Sequence, residues 1–217
     1  MSVNFDPVAK PYRTLERLTL GRALERTREH YLPRLTHARK VLAVGDGDGR
    51  FLAKLLRQNS QLEADAVDTS AKMLAQLRFR CRSDENRLHL FRQDALTFQP
   101  KTQYDLIATH FFLDCLTQPQ VEQLTATLVP SLNEGGLWLV SDFRIPPAGP
   151  MRWPARLLVR GLYLAFRILT GLRVTQLPAH ERALASAGLT RVAQRLFLGG
   201  LLTTELWQRS CQRCPSS

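Results

Sequence analysis

The most chemically suggestive residues of the chain form a run of alternating glycines and acids, Val44-Gly45-Asp46-Gly47-Asp48-Gly49. Glycines at 45, 47 and 49 let a backbone turn sharply and approach a ligand with no side chain in the way. A ligand held there also meets the N-terminus of the helix that follows. A nicotinamide-type GxGxxG would need a third glycine at Arg50, and Asp46 and Asp48 would repel a pyrophosphate. A cationic or zwitterionic ligand suits two carboxylates better. Taken alone, the same run also reads as a tight strand-to-helix turn.

Three further places continue the pattern. Asp68, in Val67-Asp68-Thr69-Ser70, follows Gly49 by nineteen residues. A carboxylate at such a strand end can accept both hydroxyls of a ribose, or it can serve as a turn residue before a Ser70 cap. Asp94-Ala95 follows the run Leu88–Arg92 and is placed to accept from an exocyclic adenine amine. Thr109-His110-Phe111-Phe112 closes the next apolar run with a small polar residue, an imidazole and two aromatics. Four places in order, each at the carboxyl end of an expected strand, point to a nucleoside-type ligand.

Positioning them requires a particular set of elements. Lys40–Gly45 is a short aliphatic run ending in glycine, which suits a buried parallel strand. Helical periodicity is expected over 51–58, 70–80 with Ser70 as N-cap, and 118–132; strands are expected over 62–67, 88–92, 104–109 and 136–141. Strand and helix alternating at this spacing mean βαβ units. Leu177–Ala187 reads as a short helix with Pro178 in its first turn and Gly188 as its stop. Thr190–Leu198 and Leu201–Gln208 flank Gly199-Gly200 as a hairpin. The expected architecture is α/β: a Rossmann-like, doubly wound seven-stranded sheet with a C-terminal antiparallel hairpin and a helical N-terminal extension. One or two amphipathic helices are expected over 11–36, packing on a domain that spans 40–217.

Composition sets outer limits. The chain has 217 residues, 44% hydrophobic and 23% charged, as one globular domain would. Thirty Lys+Arg against nineteen Asp+Glu leave +11, a surface that attracts anions. The arginines are spread over the whole sequence, so nucleic acid is not the expected partner. Cys81 and Cys115 read as small core residues. Cys211 and Cys214 lack the second pair that a zinc site needs, and no metal is expected. The first residues carry no secretory-type apolar stretch, and a cytoplasmic location is expected.

At VLAVGDGDG (41–49), VDTSAKML (67–74), RQDALTF (92–98), YDLIATHFF (104–112) and LNEGGLWLVSDF (132–143) the sequence resembles the class I S-adenosylmethionine-dependent methyltransferases. The resemblance implies S-adenosyl-L-methionine as cofactor. It places Gly45, Gly47 and Gly49 along the methionine and ribose, Asp68 with Thr69 at the ribose hydroxyls, and Met73 near the adenine. Asp94 and Ala95 fall at the adenine edge, and Thr109 and His110 beside the sulfonium. The family's usual acid two residues before the first glycine is Ala43 here; Asp46 or Asp48 is expected to take its place in holding the cofactor's amino group.

Methyl transfer needs alignment and, at most, removal of a proton. His110, Asp114 and Asp142 are the candidate proton acceptors, His110 first. The base-amine motif Asn/Asp-Pro-Pro-aromatic is absent after Thr109, while Phe111, Phe112 and the apolar, arginine-broken segment 152–174 suggest a pocket for a small hydrophobic or aromatic acceptor. That segment and the C-terminal hairpin look like ubiquinone/menaquinone-biosynthesis-type methyltransferases, a likeness that implies a lid over the cofactor from residues 1–39, Tyr12 included, and a substrate-side helical insert at 146–176. Its Trp153, Tyr163 and arginines also suit peripheral contact with an inner membrane face. The alternatives are an RNA methyltransferase using the +11 charge and a catalytically silent cofactor-binding interaction module.

Overall fold

The structure, a computed structural model, describes residues 20–170, 174 and 176–210. Tyr12, Arg173 and the Cys211/Cys214 pair lie outside the described residues. One seven-stranded sheet organises the chain, in the order β3-β2-β1-β4-β5-β7-β6. Its strands are β1 (Lys40–Val44), β2 (Glu63–Asp68), β3 (Leu88–Arg92), β4 (Tyr104–His110), β5 (Leu132–Phe143), β6 (Leu189–Phe197) and β7 (Leu202–Arg209). Strands β1 to β5 run parallel; β7 pairs antiparallel with both β5 and β6. The described α-helices are α1 (Gly21–Glu29), α2 (Arg50–Gln58), α3 (Ala71–Arg80), α4 (Gln118–Leu128), α5 (Arg152–Thr170) and α6 (His180–Ser186). The expected doubly wound sheet with its antiparallel C-terminal pair is what forms.

Strand β1 shows why. Val41, Leu42, Ala43 and Val44 are all buried, because helices cover both faces of a parallel sheet. Successive side chains point to opposite faces. Val41 and Ala43 pack with Phe51, Leu52, Leu55 and Leu56 of α2, while Leu42 and Val44 pack with Val121, Leu124 and Leu128 of α4 and with Trp138. Each large apolar side chain sunk there contributes about 1.5–3 kcal/mol. Cys81 belongs to the first of these clusters, as expected, whereas Cys115 is half-buried.

Several boundaries differ from the expected ones. Helix α4 opens with a Thr117/Gln120 capping box but stops at Leu128; Pro130 lies in the 3-10 turn that follows. Leu132 already pairs with Tyr104, so β5 begins before residue 136, with a register shift between Tyr104 and Leu106. Helix α6 begins at His180, and Pro178 precedes it rather than filling its first turn. Gly188, at φ +86°, does follow its end. The β6–β7 connection is a 3-10 turn over Leu198–Gly200 rather than a two-residue turn.

A third cluster roofs the carboxyl ends of β4 and β5. Leu24 of α1, Phe111, Ala155 and Val159 of α5, and Leu201 and Leu202 pack together there. Lys54 of α2 ties α1 down through Glu25, at 2.9 Å, and Glu29.

Candidate active site

The strand order reverses between β1 and β4, and open α/β sheets bind ligands in the crevice outside the carboxyl ends at that point. The loops after β1, β2 and β3 are laced together there: Gly45 N donates to Val67 O at 3.0 Å, and Gln93 N to Asp68 O at 3.2 Å. Gly45, at φ +65°, has the Phe112 ring against it, 2.3 Å from where a Cβ would stand, so no side chain fits. Gly47, at φ +61°, faces open space: a Cβ there would meet no atom within 4 Å. The loop therefore presents bare backbone to the crevice, as a cofactor pressed against it requires.

The other sequence-predicted residues arrive at the same edge. Asp68 Oδ1 accepts from Ser70 N at 2.8 Å, and Ser70 Oγ caps α3 by accepting from Met73 N at 3.1 Å. Asp68 thus does serve its own turn, and that bond holds the carboxylate at the crevice beside Thr69. Asp94 Oδ1 likewise accepts from Leu96 N at 3.0 Å, with Ala95 nearly buried behind it. Thr109 differs. Its Oγ1 accepts from Trp138 Nε1 at 3.1 Å, so the side chain is committed to the core.

The two loop acids are sorted by their partners. Asp48 is held by Arg50 at 3.1 Å and Arg80 at 3.0 Å. Asp46 accepts from Leu52 N at 3.3 Å, and desolvation pushes its carboxyl up to about 7 against the opposing charge of Arg28. Arg28 also lies over the Phe111 ring, 4.9 Å from its centroid. Phe111 itself has φ +51°, a costly conformation for an aromatic residue, at the turn out of β4.

His110 is 4% exposed, with its ring edge-on to Phe51 at 4.3 Å. Neither ring nitrogen has a hydrogen-bond partner among the described residues. Burial, reinforced by Arg28, keeps the imidazole neutral, its pKa well below the ordinary value. As a proton acceptor it is weak.

The opposite face of the sheet gathers the remaining acids. Asp114, in the turn Leu113–Cys115, and Asp142 near the end of β5 are 8% and 1% exposed. Burial raises both carboxyls above the usual carboxylate range, and the charge of Asp114 pushes Asp142 further up. Neither Asp142 oxygen has a hydrogen-bond partner among the described residues. Tyr163 of α5 donates to the Asp114 carbonyl at 2.8 Å. Beside the pair, fully buried Glu205 accepts from Trp207 Nε1 and Gln194 Nε2 and faces His180 Nε2 at 3.6 Å. Burial alone would raise Glu205, but His180 and these donors hold it down at about 2. Tyr163 and His180 both line an open cavity of about 790 Å³ between α5, α6 and the segment after β5.

Sequence reasoning missed Arg28, Glu205 and His180; of the pocket it expected, Arg156, Val159, Arg160 and Tyr163 of the 152–174 segment line the cavity, whereas Phe111 and Phe112 do not. Only Glu205 left a trace, an acid within the apolar strand run Leu201–Trp207. The others become neighbours only through folding.

No curated protein matches the chain. Solved structures resemble it over most of its length. An O-methyltransferase family protein from Burkholderia thailandensis covers 94% of this chain and 60% of its own, at 18% identity and TM-score 0.73. The mitomycin 7-O-methyltransferase MmcR covers 94% and 58%, at 16% and 0.70. The N-methyltransferase NodS from Bradyrhizobium japonicum WM9, in complex with S-adenosyl-L-homocysteine, covers 86% and 87%, at 18% and 0.65. The chain thus spans about 60% of the length of the first two. Residues 42–138 match the family described as Methyltransferase domain. That match runs from within β1 through β4 and includes the loops that carry the bare glycine backbone and the Asp68 carboxylate.

Proposed function

We propose that the chain transfers a methyl group from S-adenosyl-L-methionine to a small, apolar or aromatic acceptor bound beneath α5. The observation that carries this reading is the link between crevice and cavity: Phe112 lies against Gly45, and its neighbour Phe111 packs 5.5 Å from the ring of Phe143, which lines the cavity with Tyr163 and His180. The cofactor, when bound, supplies an electrophilic methyl on a sulfonium.

The chain's residues do the rest. Asp68 and Thr69 take the ribose hydroxyls, Met73, Asp94 and Ala95 meet the adenine, and Gly45, Gly47 and Gly49 admit the methionine portion. Asp46 holds its amino group in place of the acid absent at Ala43; Asp48 is engaged by Arg50 and Arg80. Asp114, the less buried of its pair, accepts the proton of the acceptor's hydroxyl or amine, while Asp142 keeps its own proton. His110, neutral, shapes the wall near the methyl group. Alignment contributes more than proton transfer does.

Helix α5 is also proposed to rest on an anionic membrane surface. Its outward Trp153 and Leu157 are 70% and 75% exposed and flanked by Arg152 and Arg160. No helix among the described residues is long and apolar enough to cross a membrane.

The test is S-adenosylhomocysteine release with a panel of hydroxylated and aminated aromatics. Turnover that falls with Asp114→Asn supports the reading. Tight cofactor binding without turnover on any acceptor favours an interaction module instead.

A further inference from the structure

The cavity under α5 carries a charge pattern that methyl transfer alone does not require. Four arginines line it: Arg144 after β5, Arg156 and Arg160 one turn apart on α5, and Arg182 on α6. The acid among its described lining residues, Glu181, is paired with Arg191 at 3.0 Å. Among the described residues, none of the four arginines has a carboxylate within ion-pair distance; Arg156 instead lies over the exposed Trp153 ring at 5.6 Å. Arg144 and Arg156 are nevertheless half-buried. Between the arginines the wall is apolar, through Ile145, Val159 and Leu177.

Guanidinium groups drawn partly out of water without a counter-charge are costly, and an anion in their midst removes that cost. Their planar forks match carboxylate, sulfonate and phosphate oxygens bidentately. Asp114 and Asp142 are not among the described residues that line the cavity; Tyr163, which is, donates to the Asp114 carbonyl. A molecule in the cavity meets positive charge set in an apolar wall, next to Tyr163 and His180.

Resting on the methyl-transfer reading, we infer that the acceptor bears an anionic oxygen group on an apolar body, and that Arg144, Arg156, Arg160 and Arg182 select it. The charge fixes which end of the molecule reaches the methyl group. An uncharged analogue of equal size fills the apolar wall but leaves the guanidinium groups unmatched.

The test is calorimetric titration of the full chain, first with S-adenosylhomocysteine and then, on the saturated protein, with matched probes. Hydroxynaphthoate is set against hydroxynaphthamide, and naphthyl phosphate against naphthol. The anionic member should bind at least about tenfold tighter, as charge-assisted hydrogen bonds would give. The Arg156→Gln/Arg160→Gln double variant should close that gap while keeping its melting temperature and S-adenosylhomocysteine affinity. Equal affinities, no binding by either anion, or a gap that survives the double substitution overturns the inference. So does binding to phosphatidylglycerol vesicles without binding to either small anion, which assigns the arginines to a membrane surface. The first titration judges the cofactor reading separately: a chain that ignores S-adenosylhomocysteine yet keeps the arginine-dependent preference loses the methyltransferase reading and retains the anion site.

Discussion

The two halves of the candidate site are built on different principles. On the crevice side, the loops after β1, β2 and β3 leave adjacent parallel strands, and each contributes a short local device: bare glycine, or an acid bonded to the backbone two residues ahead. On the cavity side, Asp114, Asp142, His180 and Glu205 come from four separate elements and are joined by burial rather than by chain proximity. The first half depends chiefly on turn geometry; the second depends on charge kept out of water. Perturbing one should therefore leave the other readable.

The sharpest division is expected from Asp114→Asn. Removing a proton acceptor should lower kcat by about 10²–10⁴-fold without changing S-adenosylhomocysteine affinity. In the unaltered protein, the raised carboxyls should make activity fall on acidification at a pH above the ordinary carboxylate range, and steady-state pH profiles would show this limb missing in the variant. An unchanged kcat would remove Asp114 from the chemistry.

Next in size is Glu205→Ala, which leaves Trp207 Nε1, Gln194 Nε2 and Arg191 without their acceptor. Breaking such a buried network costs about 3–5 kcal/mol, to be read as a lower guanidinium midpoint. The pH dependence has a definite sign. The folded-state pKa of Glu205, about 2, lies below its unfolded value, so its stabilisation is full above pH 4.5 and is lost as pH falls towards 2. Acid titration of the melting temperature should show this slope in the unaltered protein and a weaker one in the variant.

Gly45→Ala tests the crevice. Its Cβ would enter the Phe112 ring at a φ that disfavours side chains, so S-adenosylhomocysteine affinity should fall at least about tenfold, a loss of about 1.4 kcal/mol. Acceptor-side stability, read by the acid slope of Glu205, should stay. Asp46→Asn should act more gently. With its carboxyl near 7, Asp46 becomes anionic as pH rises through neutrality, and affinity for the cofactor's ammonium should rise with it. The variant should bind several-fold more weakly at pH 8 and lose that dependence. Equal pH profiles would transfer the role away from Asp46.

These expectations track how differently the two halves are written in the sequence. The crevice was legible because each of its parts is local. Gly45 to Gly49, Asp68 before the Ser70 cap and Asp94 before Leu96 announce strand ends within a few residues. The strands themselves follow from buried aliphatic runs such as Val41–Val44. What the sequence hid is long-range. Nothing near Asp142 says that it faces Asp114, and nothing in the α5 pattern separates Arg156 and Arg160, which line a cavity, from Arg152, which does not. Boundaries failed where tertiary pairing overrode periodicity, as at Leu132, drawn into β5 by Tyr104. The partner of Thr109 is hidden for a similar reason: its hydroxyl accepts from the Trp138 indole, twenty-nine residues away.

The measurement closest to the centre of this account is calorimetric titration of the folded chain with S-adenosylhomocysteine, with Asp68→Ala alongside. Micromolar binding that the substitution abolishes, at unchanged melting temperature, is the expected result. No binding by the unaltered, folded protein would contradict the account, because Asp46 would then have failed to replace the acid missing at Ala43.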